Sequence, residues 1–340
     1  MKSGILALGV YIPALRIKTS EIASVWGKDL SVIKSLGVWE KSVADLDEDS
    51  FTMGLEAAYN AISNFGIDKK RITKVLFGSE SGAYAVKPTS AMIADFLDIR
   101  GEYLAYDTQF ACKAATSALI SALESVACKD DYALVIASDK ALGRPSDALE
   151  FSAGSGAGAV VVGKSDKLLL ELEEAVSFTT DTPDFWRKQH SKFPSHAGRF
   201  SGEPAYFFHI KSAVELLFKK LGVSSKDYDY AVFHSPNAKF PVRVAQQLGF
   251  SQKQIKSALV VEKIGNCYSA STFLSLASVL EKAKKGDRIL LASYGSGAGS
   301  DAFSFRVSDL ILGYKSQLSY YLTTKKYINY AGYLKSIGEL

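Results

Sequence analysis

Cysteine, charge of one sign and long apolar runs are all scarce in this chain of 340 residues. The 3 cysteines, at 112, 128 and 267, show no CxxC spacing, so we expect neither a disulfide framework nor a structural zinc site. That usage suits a reducing cytoplasm. The 40 basic and 36 acidic residues leave a net charge of only +4, which argues against nucleic-acid binding. No apolar run reaches the ~18–20 residues of a membrane-spanning helix, and the N-terminus lacks the features of a signal peptide.

Histidine is rare as well, and its spacing predicts no metal site. The 4 histidines, at 190, 196, 209 and 234, form no HExxH motif and no i,i+4 pair. Glycine is concentrated in two GSGAG segments, 154–158 and 295–299. Neither segment ends in GK[ST] or opens a helix, so a nucleotide cradle is not expected. We expect tight turns that lead into strands and whose backbone N–H groups suit an oxyanion hole.

The chain contains one long internal repeat, which predicts a duplicated fold. Three pairs of segments correspond in nearly one register: 112–122 with 267–277, 133–138 with 288–293, and 75–81 with 230–236. Each half reads as strand, helix, strand, helix, strand, strand, and its strands are apolar on both faces. Helices at about 114–127 and 269–284 are rich in Ala, Ser and Leu, which suits burial between two sheets.

These elements predict a layered α/β/α/β/α arrangement with the active site where the two halves meet. We divide the chain into a first half at 1–163, a second half at 164–307 and a tail at 308–340.

The segment DTQFACKAATS (107–117) carries the strongest chemical signal. A short apolar strand passes through a tight turn into an amphipathic helix, and Cys112 lies at the junction. A helix N-terminus stabilises a thiolate, the form that attacks carbonyls. A buried structural cysteine is the alternative. Two distant segments, FHSPNAKFP (233–241) and IGNCYSAS (264–271), favour a nucleophile because they supply a histidine and an asparagine.

Six motifs follow one another along almost the whole chain: GSESGAYAVKPTS (78–90), FACKAATSA (110–118), PSHAGRFSGEPAYF (194–207), FHSPNAKFP (233–241), GNCYSAST (265–272) and SYGSGAGSDAF (293–303). With the repeated halves, these motifs resemble the thiolase and ketoacyl-synthase superfamily. Within it, the chain is similar to the hydroxymethylglutaryl-CoA synthase family, in its short archaeal type. The resemblance implies a thiolase-like duplicated fold and an acyltransferase of the mevalonate route to isoprenoids. It implies no cofactor beyond coenzyme A thioesters as substrates.

The resemblance also implies a role for each catalytic residue. Cys112 would accept an acetyl group from acetyl-CoA, and Glu80 would remove a proton from the acetyl methyl group. That task favours a carboxylate whose pKa is raised by partial burial. His234 would polarise the ketone of acetoacetyl-CoA and protonate the developing alkoxide, and it could also help to activate the cysteine. The structural alternatives are a solvated loop carboxylate for Glu80 and a core histidine for His234.

Further residues would bind the substrates. Asn266 would hydrogen-bond an acyl or acetoacetyl carbonyl, and Tyr206 would lie nearby. The other pocket positions are Ser152, Ser201, Ser296 and Asp29, the last of which suits a helix cap equally well. The cationic anchors for the phosphates of coenzyme A would be Lys239, Arg243 and Arg199. Lys239 and Arg243 are spaced to share one face at the start of a helix.

The tail at 308–340 is rich in tyrosine and lysine. The resemblance implies a homodimer and a complex with an acetoacetyl-CoA thiolase and a small OB-fold protein. The alternative is a tail that packs on its own domain.

Two other functions stay open at this point. One is a ketoacyl synthase with a Cys–His–Asn triad that decarboxylates a malonyl thioester. The other is a non-catalytic scaffold that docks a thiolase. Glu80 separates the two enzymes, because decarboxylation generates the carbanion without a general base.

Overall fold

The structure is a computed structural model that describes residues 2–128, 130–297 and 299–340, with residues 32, 33 and 199 described by their backbone alone. The strands are β1 (Lys2–Tyr11), β2 (Leu15–Lys18), β3 (Glu40–Val43), β4 (Ile72–Gly78), β5 (Leu104–Thr108), β6 (Tyr132–Lys140), β7 (Ser155–Ser165), β8 (Leu170–Thr179), β9 (Phe185–Trp186), β10 (Ser195–His196), β11 (Tyr230–Phe233), β12 (Arg288–Ala292), β13 (Gly299–Val307) and β14 (Lys326–Tyr327). The helices are α1 (Thr19–Val25), α2 (Leu30–Ser35), α3 (Ser50–Phe65), α4 (Thr89–Phe96), α5 (Ala114–Val126), α6 (Gly198–Phe200), α7 (Phe207–Leu221), α8 (Lys239–Gln247), α9 (Gln252–Ile255), α10 (Val261–Ile264), α11 (Ser271–Leu280), α12 (Leu318–Thr323) and α13 (Tyr330–Ser336).

Two half-sheets join edge to edge. Within the described ranges, the large sheet has nine strands in the order β11-β12-β13-β8-β1-β7-β6-β4-β5, and the small sheets are β10-β9 and β14-β2-β3. The junction between β1 and β8 is short, with only Gly4 opposite Glu171 and Ile5 opposite Leu170. On each side of it, a parallel pair (β4–β6 or β11–β12) is followed by an antiparallel strand (β7 or β13). The repeat seen in the sequence is therefore a repeat of topology.

Three large apolar clusters fill the spaces between the layers. The central cluster surrounds α5 and α11 and contains residues of both half-sheets, such as Val135 and Leu291. A second cluster lies under α3 and α4, and a third lies under α7 and α8. In α11 every residue except Ser278 is buried. The predicted five-layered α/β/α/β/α arrangement, with α5 and α11 in the middle, is confirmed.

The second half departs from the predicted repeat at one strand. The first half has β5 beside β4, whereas the corresponding part of the second half forms the short helix α10. The chain before it turns through α9, where Ser251 and Gln254 form a capping box. In α10 itself, the N–H groups of Lys263 and Gly265 donate to the Val260 and Val261 carbonyls at 2.9 and 3.0 Å, so these groups are not paired with a strand and the expectation of a matching strand was wrong.

The tail packs on its own domain. β14 pairs with β2, and α13 buries Tyr330 and Tyr333. The Tyr330 hydroxyl donates to Glu150 Oε1 at 2.8 Å, and Tyr333 Oη lies 3.0 Å from Lys41 Nζ. These contacts support the self-packing alternative, while the domain limits given above stay a prediction. Among the described residues, no helix has the length and apolarity needed to cross a membrane.

Candidate active site

Cys112 lies in the turn between β5 and α5, as predicted. Ala111 before it adopts a φ of 43°, a left-handed conformation that is unusual outside glycine, and α5 begins at Ala114. The cysteine is 5% exposed and packs against Ala153 and Tyr268. Its Sγ donates a hydrogen bond to Glu80 Oε1 at 3.2 Å. The two predicted residues of the first half are thus in direct contact.

Glu80 follows β4 and is held by a buried carboxylate that the sequence prediction did not include. Asp139 Oδ1 accepts hydrogen bonds from the backbone N–H groups of Glu80 at 2.9 Å and Ser81 at 3.0 Å. The same oxygen accepts the Ser79 hydroxyl at 2.8 Å, and Oδ2 accepts the Ser269 N–H at 2.9 Å. Asp139 therefore joins the turn after β4 to the segment that precedes α11.

The electrostatics of the pair favour a protonated Cys112 thiol over a thiolate. Burial, and then the charge of Asp139, raise the pKa of Glu80 to about 8. Burial, and then the charge of Glu80, raise the pKa of the Cys112 thiol well above its usual range. The expectation that the helix N-terminus stabilises a Cys112 thiolate does not hold in this state, because burial dominates. Reaction therefore requires a base for the thiol proton, and Glu80 is in contact to accept it.

His234 directly follows β11, and β11 corresponds to β4, which ends two residues before Glu80. The His234 backbone N–H donates to the Ala292 carbonyl at 2.8 Å, and its carbonyl accepts the Tyr206 hydroxyl at 2.6 Å. Among the described residues its Nδ1 has no hydrogen-bond partner. Burial lowers the pKa of His234 to about 3, so the imidazole is neutral at physiological pH. A neutral ring donates a hydrogen bond but is not the imidazolium acid expected for proton transfer to an alkoxide.

Asn266 bonds to the segment at Ser152 and Ala153, and Ala153 packs against the nucleophile Cys112. The Asn266 backbone N–H donates to the Ser152 carbonyl at 2.6 Å, and Asn266 forms a bridge with Ala153. Its Oδ1 accepts hydrogen bonds from the Tyr268 N–H at 3.0 Å and the Ser271 hydroxyl at 2.9 Å. The amide nitrogen is therefore the donor suited to a substrate carbonyl.

The remaining predicted pocket residues lie in separate elements. Ser296 lies in the glycine turn after β12, next to Tyr294, whose ring centroid is 5.4 Å from that of Tyr206. Ser201 begins an irregular helical segment, Ser201–Tyr206. Asp29 is exposed and accepts the backbone N–H of Ser31 at 2.7 Å. This contact agrees with the helix-cap alternative, and a ligand role for Asp29 stays a prediction.

Two of the three proposed anchors for coenzyme A are accessible. α8 begins at Lys239, and both Lys239 and Arg243 are exposed, which confirms the predicted helix start. The Arg243 guanidinium carbon lies 4.6 Å from the centroid of the Phe207 ring. The side chain of Arg199 lies outside the part of the chain that the structure describes.

The two glycine turns lead into β7 and β13, as predicted, but several of their N–H groups are already engaged. Gly154 N–H donates to the Asn266 carbonyl at 2.9 Å, and Ser155 N–H donates to Ser42 Oγ at 3.1 Å. In the second turn, Gly297 N–H donates to Asp184 Oδ1 at 2.8 Å. The oxyanion-hole expectation is wrong for these groups, because they already have partners.

Other site residues were missed because their contacts are long-range. Asp184 accepts the Tyr294 hydroxyl at 2.7 Å, and Arg187 donates to the Glu80 carbonyl at 2.9 Å. A cleft of about 980 Å³ opens beside Glu80 and is lined in part by Arg187 and Ser296. Asp139 had one signal in the sequence, since it is a carboxylate at the end of an apolar strand. Its counterpart in the other half is Tyr294, which lies two residues after β12. Among the described residues, no cluster of three or more His, Cys, Asp or Glu is placed to hold a metal.

The fold and the cysteine–carboxylate pair together define a thiolase-like condensing enzyme. Residues 1–166 match the family model described as "Hydroxymethylglutaryl-coenzyme A synthase N terminal". Residues 218–307 match "3-Oxoacyl-[acyl-carrier-protein (ACP)] synthase III C terminal". A hydroxymethylglutaryl-CoA synthase of Aeropyrum pernix is 50% identical over 99% of this chain and 95% of its own length. One of Archaeoglobus fulgidus is 48% identical over 98% of this chain and 97% of its own.

Solved structures agree with these relatives. "MvaS in complex with 3-hydroxy-3-methylglutaryl coenzyme A" superposes with a TM-score of 0.92 at 25% identity, covering 100% of this chain and 92% of that one. "HMG_CoA synthase complexed with CoA" gives a TM-score of 0.91 at 26% identity, covering 100% and 91%. The chain belongs to the hydroxymethylglutaryl-CoA synthase family.

Proposed function

We propose that this chain condenses acetyl-CoA with acetoacetyl-CoA and water to give 3-hydroxy-3-methylglutaryl-CoA, through an acetyl thioester on Cys112. This is an acyltransferase reaction of the mevalonate route to isoprenoids, and it uses coenzyme A thioesters without another cofactor. One observation carries the assignment: Cys112 Sγ lies 3.2 Å from Glu80 Oε1, in surroundings that raise the pKa of Glu80 to about 8. A base whose pKa lies near the working pH is best suited to removing a proton.

Acetylation begins at this contact. As Cys112 attacks the thioester carbonyl, Glu80 takes the thiol proton, the bond from the carbonyl carbon to coenzyme A breaks, and the departing sulfur receives that proton. The enzyme then carries an acetyl group on Cys112, and Glu80 is ionised again. Because the acylated sulfur no longer has a proton to donate, Glu80 loses its hydrogen-bond donor and becomes available as a base.

Condensation uses both halves of the molecule. Glu80 removes a proton from the acetyl methyl group, and the resulting carbon attacks the ketone of acetoacetyl-CoA. His234, neutral because of its burial, donates a hydrogen bond to the oxygen on which charge develops. After that alkoxide takes a proton from solvent, water attacks the Cys112 thioester and loses its protons to solvent. The carbon–sulfur bond breaks, the departing sulfur takes the proton that Glu80 removed from the methyl group, and the product carboxylate and the free thiol are released.

We assign the remaining predicted residues to substrate binding. The Asn266 amide nitrogen is the donor for a carbonyl, since its Oδ1 already accepts two hydrogen bonds. Lys239, Arg243 and Arg199 are proposed to bind the phosphates of coenzyme A. The proposed pocket residues are Ser152, Ser201, Ser296 and Asp29.

We also propose a homodimer, and a complex with an acetoacetyl-CoA thiolase and a small OB-fold protein. The tail supports a partner role only through side chains that its own packing leaves exposed, including Tyr320 and Tyr327. All three cysteines are free, which favours a reducing cytoplasm.

The match of residues 218–307 to a ketoacyl-synthase model keeps the malonyl-using enzyme as a second candidate. The test gives the purified protein acetoacetyl-CoA with either acetyl-CoA or malonyl-CoA and identifies the products by mass. We expect hydroxymethylglutaryl-CoA from acetyl-CoA, and its loss in Glu80→Gln. Decarboxylative condensation of malonyl-CoA that survives Glu80→Gln would identify a ketoacyl synthase. If neither donor is condensed, even with the thiolase present, the non-catalytic scaffold is the hypothesis that remains.

A further inference from the structure

The residue that follows the nucleophile is a lysine whose charge is buried. The side chain of Lys113 is 3% exposed, and its Nζ lies 2.8 Å from Asp301 Oδ1 on a side chain that is 0% exposed. Burying two charges is costly even when they are paired, and a buried ion pair is weak evidence for stability. Neither residue takes part in the chemistry proposed above, so the pair invites another explanation.

This ion pair ties the first turn of α5 to the second half of the molecule. Asp301 Oδ2 accepts hydrogen bonds from the hydroxyls of Thr116 at 2.8 Å and Ser117 at 3.2 Å. Lys113 Nζ also donates to Ser117 Oγ at 2.7 Å, and Thr116 Oγ1 lies 2.7 Å from Ser293 Oγ. The Asp301 carboxylate therefore contacts one ammonium group and two hydroxyl groups at the start of α5, the helix that follows Cys112.

The lysine stem passes beside the glycine turn that carries Ser296. A Cβ atom added to Gly295 would lie 2.6 Å from Lys113 Cγ, and one added to Gly299 would lie 2.7 Å from Lys113 Cε. The ammonium also lies 4.2 Å from the centroid of the Phe110 ring. Only glycine leaves this much room, so the turn is built around the lysine.

The nucleophile turn needs such support because its backbone is strained. Ala111 has a φ of 43°, and a non-glycine residue persists in that region only when its surroundings hold it there. Cys112 follows the strained residue, and Lys113 follows Cys112. An anchor at Lys113 therefore limits where the sulfur lies relative to Glu80 and Ser296.

We propose that Lys113 is a positioning residue: paired with Asp301, it fixes the turn that carries Cys112 against the glycine turn that carries Ser296. The inference rests on the proposed function, since its effect is on the acetylation of Cys112. Displacing a reacting atom by about 1 Å costs on the order of 100-fold in rate. Loss of the anchor should therefore lower the acetylation rate more than it weakens acetyl-CoA binding.

The test uses the double variant Lys113→Met/Asp301→Asn, which keeps an apolar stem and the oxygen that accepts from Thr116. Single-turnover acetylation by acetyl-CoA is followed by the mass of the Cys112 peptide, over a range of acetyl-CoA concentrations. We expect saturating acetylation at least ~10-fold slower than wild type, with half-saturation within about threefold. Lys113→Met alone is the second probe, because Asp301 keeps its hydrogen bonds from Thr116 and Ser117 and can take up a proton, and it should also slow acetylation.

The matched control is Arg288→Met/Glu173→Gln, which removes another mostly buried ion pair, of 2.6 Å, at the opposite end of β12. If both double variants lose similar thermal stability and only the Lys113 variant acetylates slowly, the positioning role stands. Wild-type acetylation in folded Lys113→Met/Asp301→Asn would overturn it, as would equal slowing in the control. Should the double variant not fold, an unchanged rate in Lys113→Met would overturn it instead. A wild-type protein that is never acetylated would overturn the proposed function itself, and the inference with it.

Discussion

Asp139 Oδ1 accepts the backbone N–H of Glu80 at 2.9 Å, so one buried carboxylate positions the main chain of another. The charge of Asp139 also raises the pKa of Glu80, after the larger effect of burial. The same relationship thus orients the base and helps bring its pKa close to neutrality. Asp139 reaches Ser269 as well, so the arrangement depends on how the two halves are packed.

Glu80→Gln should greatly slow proton removal from the acetyl group, because an amide cannot accept that proton. The measurement is the incorporation of deuterium from solvent into the methyl group of enzyme-bound acetyl, with hydroxymethylglutaryl-CoA formation measured alongside. General-base catalysis contributes on the order of 10²–10⁴-fold, and both rates should fall by that amount.

Glu48→Gln is the matched control, since Glu48 is also partly buried but bonds to Tyr11 and the Asp45 N–H instead of Cys112. Its exchange rate should stay near that of the wild type. Deuterium exchange that continues unchanged in Glu80→Gln would show that another group is the base.

The raised pKa of Glu80 predicts a pH dependence for both activity and stability. Activity should rise with pH, because the base must be ionised, and kcat/KM for acetyl-CoA should reach half its plateau near pH 8. The pKa of Glu80 is higher in the folded state than in the unfolded state, so protonated Glu80 favours folding and this stabilisation is present at low pH. The stabilisation is lost as pH rises through about 8.

Glu80→Gln has no carboxyl group to ionise, so it does not lose this stabilisation. Its free energy of unfolding, relative to that of the wild type, should therefore increase between pH 5 and pH 9. The gain should be on the order of 1 kcal/mol, since Glu80 keeps some solvent contact. Urea unfolding at the two pH values measures it. A difference that is the same at both pH values would mean that Glu80 is ionised throughout.

His234→Ala should separate the two halves of the reaction. Acetylation of Cys112 should stay within about tenfold of wild type, whereas condensation should fall by about 10²–10³-fold with loss of a hydrogen-bond donor to the developing charge. Rapid-quench measurement of acetyl-enzyme and product distinguishes the steps, with His196→Ala as the control. A large loss of acetylation would instead make His234 the base for the thiol.

Lys239→Ala and Arg243→Ala should weaken substrate binding without changing the chemistry. If both side chains bind phosphates, the double variant should raise KM for acetyl-CoA by about 10–100-fold, which is roughly 1.4–2.8 kcal/mol. Its kcat should change little. Acetyl-pantetheine has no nucleotide phosphates, so variant and wild type should use it equally well. A comparable loss with acetyl-pantetheine would point to distortion of α8.

The sequence predicts those features that local patterns determine. Cys112 at a strand–helix junction, and Glu80 and His234 at the ends of matching strands, follow from periodicity and the repeat together with the family resemblance. The low pKa of His234 and the missing strand near α10 depend on burial and local capping, which the repeat does not encode. Asp139 and the pair formed by Lys113 and Asp301 act through partners far away in sequence. They become visible only once the halves are packed together.

The acetyl-Cys112 intermediate is the central claim, and intact-mass measurement tests it most directly. The protein is incubated with acetyl-CoA, the Cys112 peptide is analysed, and acetoacetyl-CoA is then added. The account predicts one acetyl group on Cys112 that disappears as hydroxymethylglutaryl-CoA forms, and none on Cys112→Ala. Product formation by Cys112→Ala, or an acetyl group that remains on Cys112 after acetoacetyl-CoA is added, would contradict it.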